Sequence, residues 1–254
     1  MTQTAFTLAE TLIVIGIIGV VAALTLPNLN HATGDKETVT RVKKSYSMLN
    51  EANDRAVAIY GPISEWSDVC HENLNSCYMN RISEFLKVSK SCNEAGDENE
   101  STYSSCDSLA KGDMPKEDVM VQVTDGMTFT INQQTDHCTC DWNIFGKYPR
   151  DICIEYLSVD INGPNKGKNK YGQDIFIFIV SDSLGVIPPI DADTVEDEVN
   201  TCLYSNRWDN SNYYHCSWWV LEYGNLDYLK ADYQGKCNDN PSIILDGVNN
   251  TSCH

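Results

Sequence analysis

The chain has 254 residues, a formal net charge of -18 and eleven cysteines. A length of this order builds one sizeable domain, or one domain with a decorated insert, behind a short anchor. So acidic a chain excludes nucleic acid as a direct partner, because such binders need a basic footprint to displace counterions; Lys166, Lys168 and Lys170 read as a solvated turn.

From Ala5-Phe6-Thr7-Leu8-Ala9-Glu10-Thr11-Leu12 the chain runs through an apolar stretch to Leu26-Pro27. At roughly 1.5 Å per residue a helix from Phe6 to Leu26 is about 30 Å long, the thickness of a bilayer's hydrocarbon core, so a transmembrane helix is expected here. Glu10 is its anomaly. An acidic side chain costs on the order of 3 kcal/mol at the centre of such a helix, and less near the end, so it calls for a partner charge.

The core Phe6-Thr7-Leu8-Ala9-Glu10, followed by that apolar run, resembles the N-terminus of the type IV pilin and type II secretion pseudopilin superfamily. The resemblance implies cleavage by a prepilin peptidase between Ala5 and Phe6, then N-methylation of the new amino terminus at Phe6. It implies that Glu10 meets the amino-terminal ammonium of a neighbouring subunit in a filament core. Pro27 matches the family's helix proline, and Gly19 marks where such helices loosen on assembly. A proline inside a helix removes one backbone bond and crowds the preceding turn, so a kink or local melting between Gly19 and Pro27 is expected on physical grounds as well.

The organisation that follows is a leader over residues 1–5, a transmembrane or filament-core helix over 6–29, an amphipathic helix over 30–61 and an extracytoplasmic globular head over 62–254. The implied partners are the prepilin peptidase, other pilin or pseudopilin subunits, the membrane and the filament assembly machinery. The implied location is single-pass in the inner or cytoplasmic membrane with the head on the extracytoplasmic side, then a filament in the periplasm or on the cell surface. An ordinary secretory signal, cleaved near Val21-Ala22-Ala23, would begin with a positive segment that is absent here, and it leaves Glu10 unexplained.

Beyond the apolar segment, Val39, Val42, Tyr46, Leu49, Asn53, Ala56 and Tyr60 recur at spacings of three and four, which is one helical face; Gly61-Pro62 ends the helix. Residues 63–116 are polar, cysteine-bearing and poorly periodic, and read as a loop-rich insert stapled by disulfides. Met120–Thr124 and Met127–Ile131 flank Asp125-Gly126, a strong hairpin signal because both turn positions tolerate positive φ. Ile152 to Ile161 and Asp174 to Ser181 read as two more strands, Asp191 to Glu198 as a solvated acidic loop, and Cys216 to Tyr223 as a last strand. In such a strand Trp218 and Trp219 point to opposite faces, which makes one of them a candidate contact residue.

All eleven cysteines follow the apolar segment, which points to an oxidising, extracytoplasmic compartment. Cys70 with Cys77, Cys92 with Cys106 and Cys202 with Cys216 would close short local loops, while the full connectivity stays open and the odd count leaves one cysteine over. His137-Cys138-Thr139-Cys140 with Cys153 has the residue types of a zinc site, but disulfides are the better reading in an exported chain. The loop Asp160-Ile161-Asn162-Gly163-Pro164-Asn165, with Gly172 and Asp174 beyond, places oxygen-bearing side chains at alternate positions before a glycine. Calcium is the cation such a loop takes, yet it lacks the later Glu of an EF-hand, and its Asn and Gly favour turns on conformational grounds alone. No metal ligand and no resident cofactor is therefore assigned.

No Gly-x-Ser-x-Gly elbow, phosphate-cradling glycine loop or His-Glu-x-x-His is present, so no catalytic residue is assigned either. The expected fold is α+β: a long N-terminal helix, transmembrane in its first half and amphipathic in its second, packed on a small antiparallel sheet with disulfide-stapled loops. The expected role is a structural subunit, minor or specialised, of a pilus-like filament or a secretion pseudopilus. The alternative is a membrane-anchored or secreted disulfide-rich module that binds a ligand or adheres.

Overall fold

The computed structural model describes residues 8–66, 70, 74–93, 106–114, 119–131, 138, 151–189, 202, 216–232, 234–247 and 249–254; the side chains of 22–33 and 107 lie outside that description. The expected acidic loop from Asp191 to Glu198 falls outside it as well. The chain divides into two compact units, Met1–Glu37 and Thr38–His254.

Helix α1 spans Leu8–Tyr60. It carries Glu10 in its first turn, where the positive end of the helix dipole favours a carboxylate. The backbone stays helical through Gly19, Pro27 and Gly34, so the local melting expected between Gly19 and Pro27 does not occur. The transmembrane half of the expected fold is overturned: among the described residues no helix is long and apolar enough to cross a membrane. The single-pass membrane location built on that half is corrected with it.

In the second unit α1 behaves as its spacing predicts. Val42, Leu49, Asn53 and Ala56 are buried, Val39, Tyr46 and Tyr60 pack at the edge of the same core, and Ser45 and Ala52 join the stripe. Gly61 adopts φ +82 and its N–H bonds the Val57 carbonyl at 2.9 Å, a left-handed cap that stops the helix before Pro62.

The stripe packs on a six-stranded antiparallel meander, ordered β1 (Val88–Asn93), β2 (Val119–Val123), β3 (Thr128–Ile131), β4 (Ile152–Asp160), β5 (Ile175–Ser181) and β6 (Gly185–Ile187). The Asp125-Gly126 hairpin forms as expected, with Met120 opposite Thr130 and Gly126 at φ +95. The two expected strands at 152–161 and 174–181 form within a residue of their predicted bounds. Register sets the faces. Phe129 pairs with Val159 and Val159 with Phe176, while Leu157 pairs with Phe178, so these apolar residues share one face and join the core that holds α1. Tyr46 of α1 stacks on Phe178 at 5.8 Å between centroids and 24° between planes. Thr128, Thr130, Ser158 and Asp160 alternate onto the other face, which is buried too.

Three expectations in the head need correction. The stretch 63–116 is not only loop: it contains helix α2 (Leu74–Ser83), with Leu74, Asn75, Tyr78, Met79 and Ile82 buried at helical spacing, and the edge strand β1. Arg81 of α2 lies 4.5 Å from the ring centres of both Tyr60 and Trp66, and Tyr60 donates to Glu84, tying α2 to the end of α1. Cys216–Tyr223 is not a strand but helix α3, with Cys216, Ser217, Trp219 and Val220 buried. That spacing of one, three and four is a helical face, and the Ser217 hydroxyl fixes it by donating to the Ile177 carbonyl of β5 at 2.6 Å. The opposite-face argument for the tryptophans falls with the strand. Trp219 is buried and donates to Asn225 Oδ1 at 2.9 Å, while Trp218 lies half-buried, edge-on to Tyr223 at 5.4 Å.

Five disulfides staple the described head: Cys70–Cys77, Cys92–Cys106, Cys138–Cys153, Cys202–Cys216 and Cys237–Cys253. The three short loops named from sequence are among them, and such bonds fit an oxidising compartment. Cys140 lies outside the described residues.

Candidate functional site

Strand β4 ends in the fully buried Asp160, which pairs with Thr128 of β3 and Ile175 of β5. Asp160 Oδ1 accepts the backbone N–H groups of Asn162 at 3.1 Å and Gly163 at 2.8 Å, an Asx turn that starts the 161–174 loop. Gly163 sits at φ +87, and a Cβ there would come 2.3 Å from the Gly126 carbonyl, so the loop crosses the β2–β3 turn only because this residue has no side chain.

At the loop's far end Asp174 gathers the backbone. Its carboxylate accepts the N–H groups of Lys168 at 2.6 Å, Asn169 at 2.9 Å and Lys170 at 2.7 Å, and the Asn162 amide at 3.5 Å. Of the lysines read as a solvated turn, Lys168 and Lys170 thus serve Asp174 through their main chain while Lys166 donates its N–H to the Gly163 carbonyl, and all three side chains are exposed. Asp174→Ala is expected to cost about 3 kcal/mol or more in urea unfolding, because three donors lose an acceptor at once, and Asp174→Asn about half of that.

Other elements converge on this loop. Arg41 of α1 donates to the Ile161 carbonyl at 3.2 Å, and Tyr228, in the 3-10 turn Asp227–Lys230, donates to the Gly172 carbonyl at 2.6 Å. Asp113, from the segment after the 3-10 turn Cys106–Ser108, donates its N–H to the Asn169 carbonyl at 2.7 Å, and its carboxylate accepts the Tyr171 N–H at 3.3 Å.

Burial pushes the Asp160 carboxyl up to about 6; the two backbone N–H groups oppose the rise and the Asp174 charge adds to it. Asp227, almost as buried, goes the other way. Burial alone would raise it, but the Lys230 ammonium at 2.7 Å, the Ser252 hydroxyl at 2.6 Å and the Cys253 N–H at 2.9 Å outweigh that and lower it. Asp160 has no such complement: its Oδ2, with Asn162 Oδ1 and Asn169 Oδ1, is buried without a hydrogen-bond partner among the described residues.

Calcium takes six to eight oxygens. Of the residues the sequence suggested for it, Asp174 is committed to N–H donors and Asn165 is exposed, leaving one carboxylate oxygen and one amide oxygen, with Asn169 adding a second amide. The set does not fit that ion. Cys138 and Cys153 are bonded to each other, which removes them from the suggested zinc set, and among the described residues no group of three or more His, Cys, Asp or Glu is placed to hold a metal. His137 and Cys140 lie outside the described residues, as do Trp208, Tyr213 and Tyr214 of the aromatic-rich stretch that precedes α3.

The N-terminal residues form the other candidate site. Ala5 and Phe6 lie outside the described residues, as does the Pro27 side chain. Glu10 is exposed, and a Cβ on Gly19 would meet nothing within 4 Å. Around them every large apolar side chain from Leu8 to Val21 is more than half exposed, on all sides of the helix. Sequence reasoning found these residues but missed Asn169 and Arg41; Asn169 alone left a signal, as an Asn in a run of Lys and Gly where positive φ is tolerated, and it adopts φ 51. No family model, no curated protein and no solved structure matches the chain.

Proposed function

We propose that the protein is a structural subunit of a pilus-like filament or secretion pseudopilus, matured by peptidase cleavage between Ala5 and Phe6 and N-methylation at Phe6. The observation that carries this reading is the helix from Leu8 to Val21, apolar on every side and exposed on every side. A helix hydrophobic all round is stable only when something buries it, and leaving nine large aliphatic side chains in water costs roughly 1.5 kcal/mol or more for each. The occupant we assign is the same helix of further copies of this chain, because Glu10 near its start then faces a neighbour's Phe6 ammonium, which supplies a counter-charge inside the bundle.

The role is assembly rather than chemistry. The head, with its sheet and disulfides, is the outward part, and its size favours a specialised subunit. Mass spectrometry of the mature N-terminus from sheared surface material tests the reading. N-methylphenylalanine at Phe6 is the expected result. A mature terminus near Leu24, or retention of Met1, overturns it in favour of a secreted binding module.

A further inference from the structure

The loop that joins β4 to β5 holds more acceptors than donors. Among the described residues Asp160 Oδ2, Asn162 Oδ1 and Asn169 Oδ1 are buried without partners, within one stretch of ten residues, and Asp160 itself is fully buried. Asp174, the other carboxylate, has already drawn in the Lys168, Asn169 and Lys170 N–H groups and the Asn162 amide. An unpartnered buried acceptor costs about 1–3 kcal/mol, and more when it is charged.

We infer that this loop is a proton-operated latch: in mildly acidic surroundings Asp160 takes up a proton at its buried carboxyl, and the loop loses a buried charge that lacks a full set of donors. The proton comes from solvent and stays on Asp160; no covalent bond changes. Because Ile161 is held by Arg41, Gly163 lies on Gly126, Asn169 by Asp113 and Gly172 by Tyr228, closing the loop firms its contacts with α1, the β2–β3 turn, the 106–114 segment and the C-terminal region together.

Among the described residues the charged groups around Asp160 are few. From the loop itself comes Asp174, which disfavours a second negative charge; from α1 comes Arg41, which engages the loop through a carbonyl. From the β2–β3 turn comes Asp125, already paired with Lys44. β3 and β5 present Thr128 and Ile175 opposite Asp160, both uncharged. Asp113, from the 106–114 segment, spends its carboxylate on Tyr171, and the Lys168 and Lys170 side chains are exposed.

The sign follows from linkage. The folded chain holds this proton more tightly than the unfolded one, so the stabilisation is full below the ordinary carboxylate range and is lost as pH rises through about 6. Urea unfolding of the full chain against Asp160→Asn tests it, since every other carboxylate is common to both. The variant is expected to exceed the wild type in folded-to-unfolded ratio by about a hundredfold at about pH 7.5, by about tenfold at about pH 5, and to match it at about pH 3. A gap that does not change with pH overturns the proposal. So does millimolar calcium that raises the wild-type midpoint at neutral pH and leaves the variant unmoved, since a cation then completes the cluster. In the wild type alone, amide exchange over Ile161–Tyr171, corrected for intrinsic rate, is expected to slow on acidification; unchanged protection refutes the latch.

Discussion

Glu10→Val is expected to leave the head folded, with an unchanged melting temperature, and to lower recovery of the subunit in sheared filaments at least about a hundredfold. The reasoning is a balance of two buried charges. In the proposed filament the Phe6 ammonium and the Glu10 carboxylate compensate each other inside a bundle of apolar helices. Removing one leaves the other desolvated and alone, at a cost of about 3–5 kcal/mol, and each 1.4 kcal/mol is a factor of ten. Valine also improves the apolar match of the helix, so plain hydrophobic association predicts equal or better incorporation. Immunoblots of sheared against cell-retained subunit separate the two, and recovery within about twofold of wild type would remove the charge pair from the account. Glu10 is exposed in the first turn of α1, far in sequence from the head residues Thr38–His254, which is why the melting temperature serves as the control.

Phe178→Ala is expected to cost about 3–5 kcal/mol in urea unfolding, a large part of the stability of a domain of this size. Phe178 is fully buried at the middle of β5, pairs with Leu157 of β4 and carries the stacked ring of Tyr46. Truncation removes apolar contact and leaves a cavity that strands paired on both sides cannot collapse. Tyr46→Ala, at a half-buried position, is expected to cost less, and the double variant less than the sum, because both lose the same contact. A loss below about 1 kcal/mol for Phe178→Ala would mean that the α1 stripe is not held by this face of the sheet.

What could be read from the sequence depended on how local its cause was. The β2–β3 hairpin was legible because Asp125-Gly126 names its own turn, and the α1 stripe because seven residues kept one spacing through two dozen positions. α3 was not, since Trp, Val and Tyr favour strands and the deciding contact, Ser217 to Ile177, spans 40 residues. α2 had its signal in Leu74, Tyr78 and Ile82, hidden among Asn and Cys. β1 had almost none, because Val88, Ser89, Lys90 and Ser91 become a strand only by pairing with β2. At the 161–174 loop the sequence showed oxygen-bearing side chains but not what they face. Asp174 turned out to be filled by main-chain donors, and the three unpartnered oxygens are visible only once burial is known. The apolar N-terminal run was legible as a helix, while its membrane-crossing length was not upheld.

The spacing of the disulfides sets the order in which the head can be made. The five bonds join cysteines 7, 14, 15, 14 and 16 residues apart, and no described pair encloses or interleaves with another. Each can therefore close as soon as its own stretch of chain is available, without waiting for the next. Four of the five join cysteines that are consecutive in the chain, whereas Cys138–Cys153 passes over Cys140. Cys140 is thus the thiol placed by sequence to compete with Cys153 for Cys138, and the 138–153 loop is the one whose pairing is not settled by order along the chain.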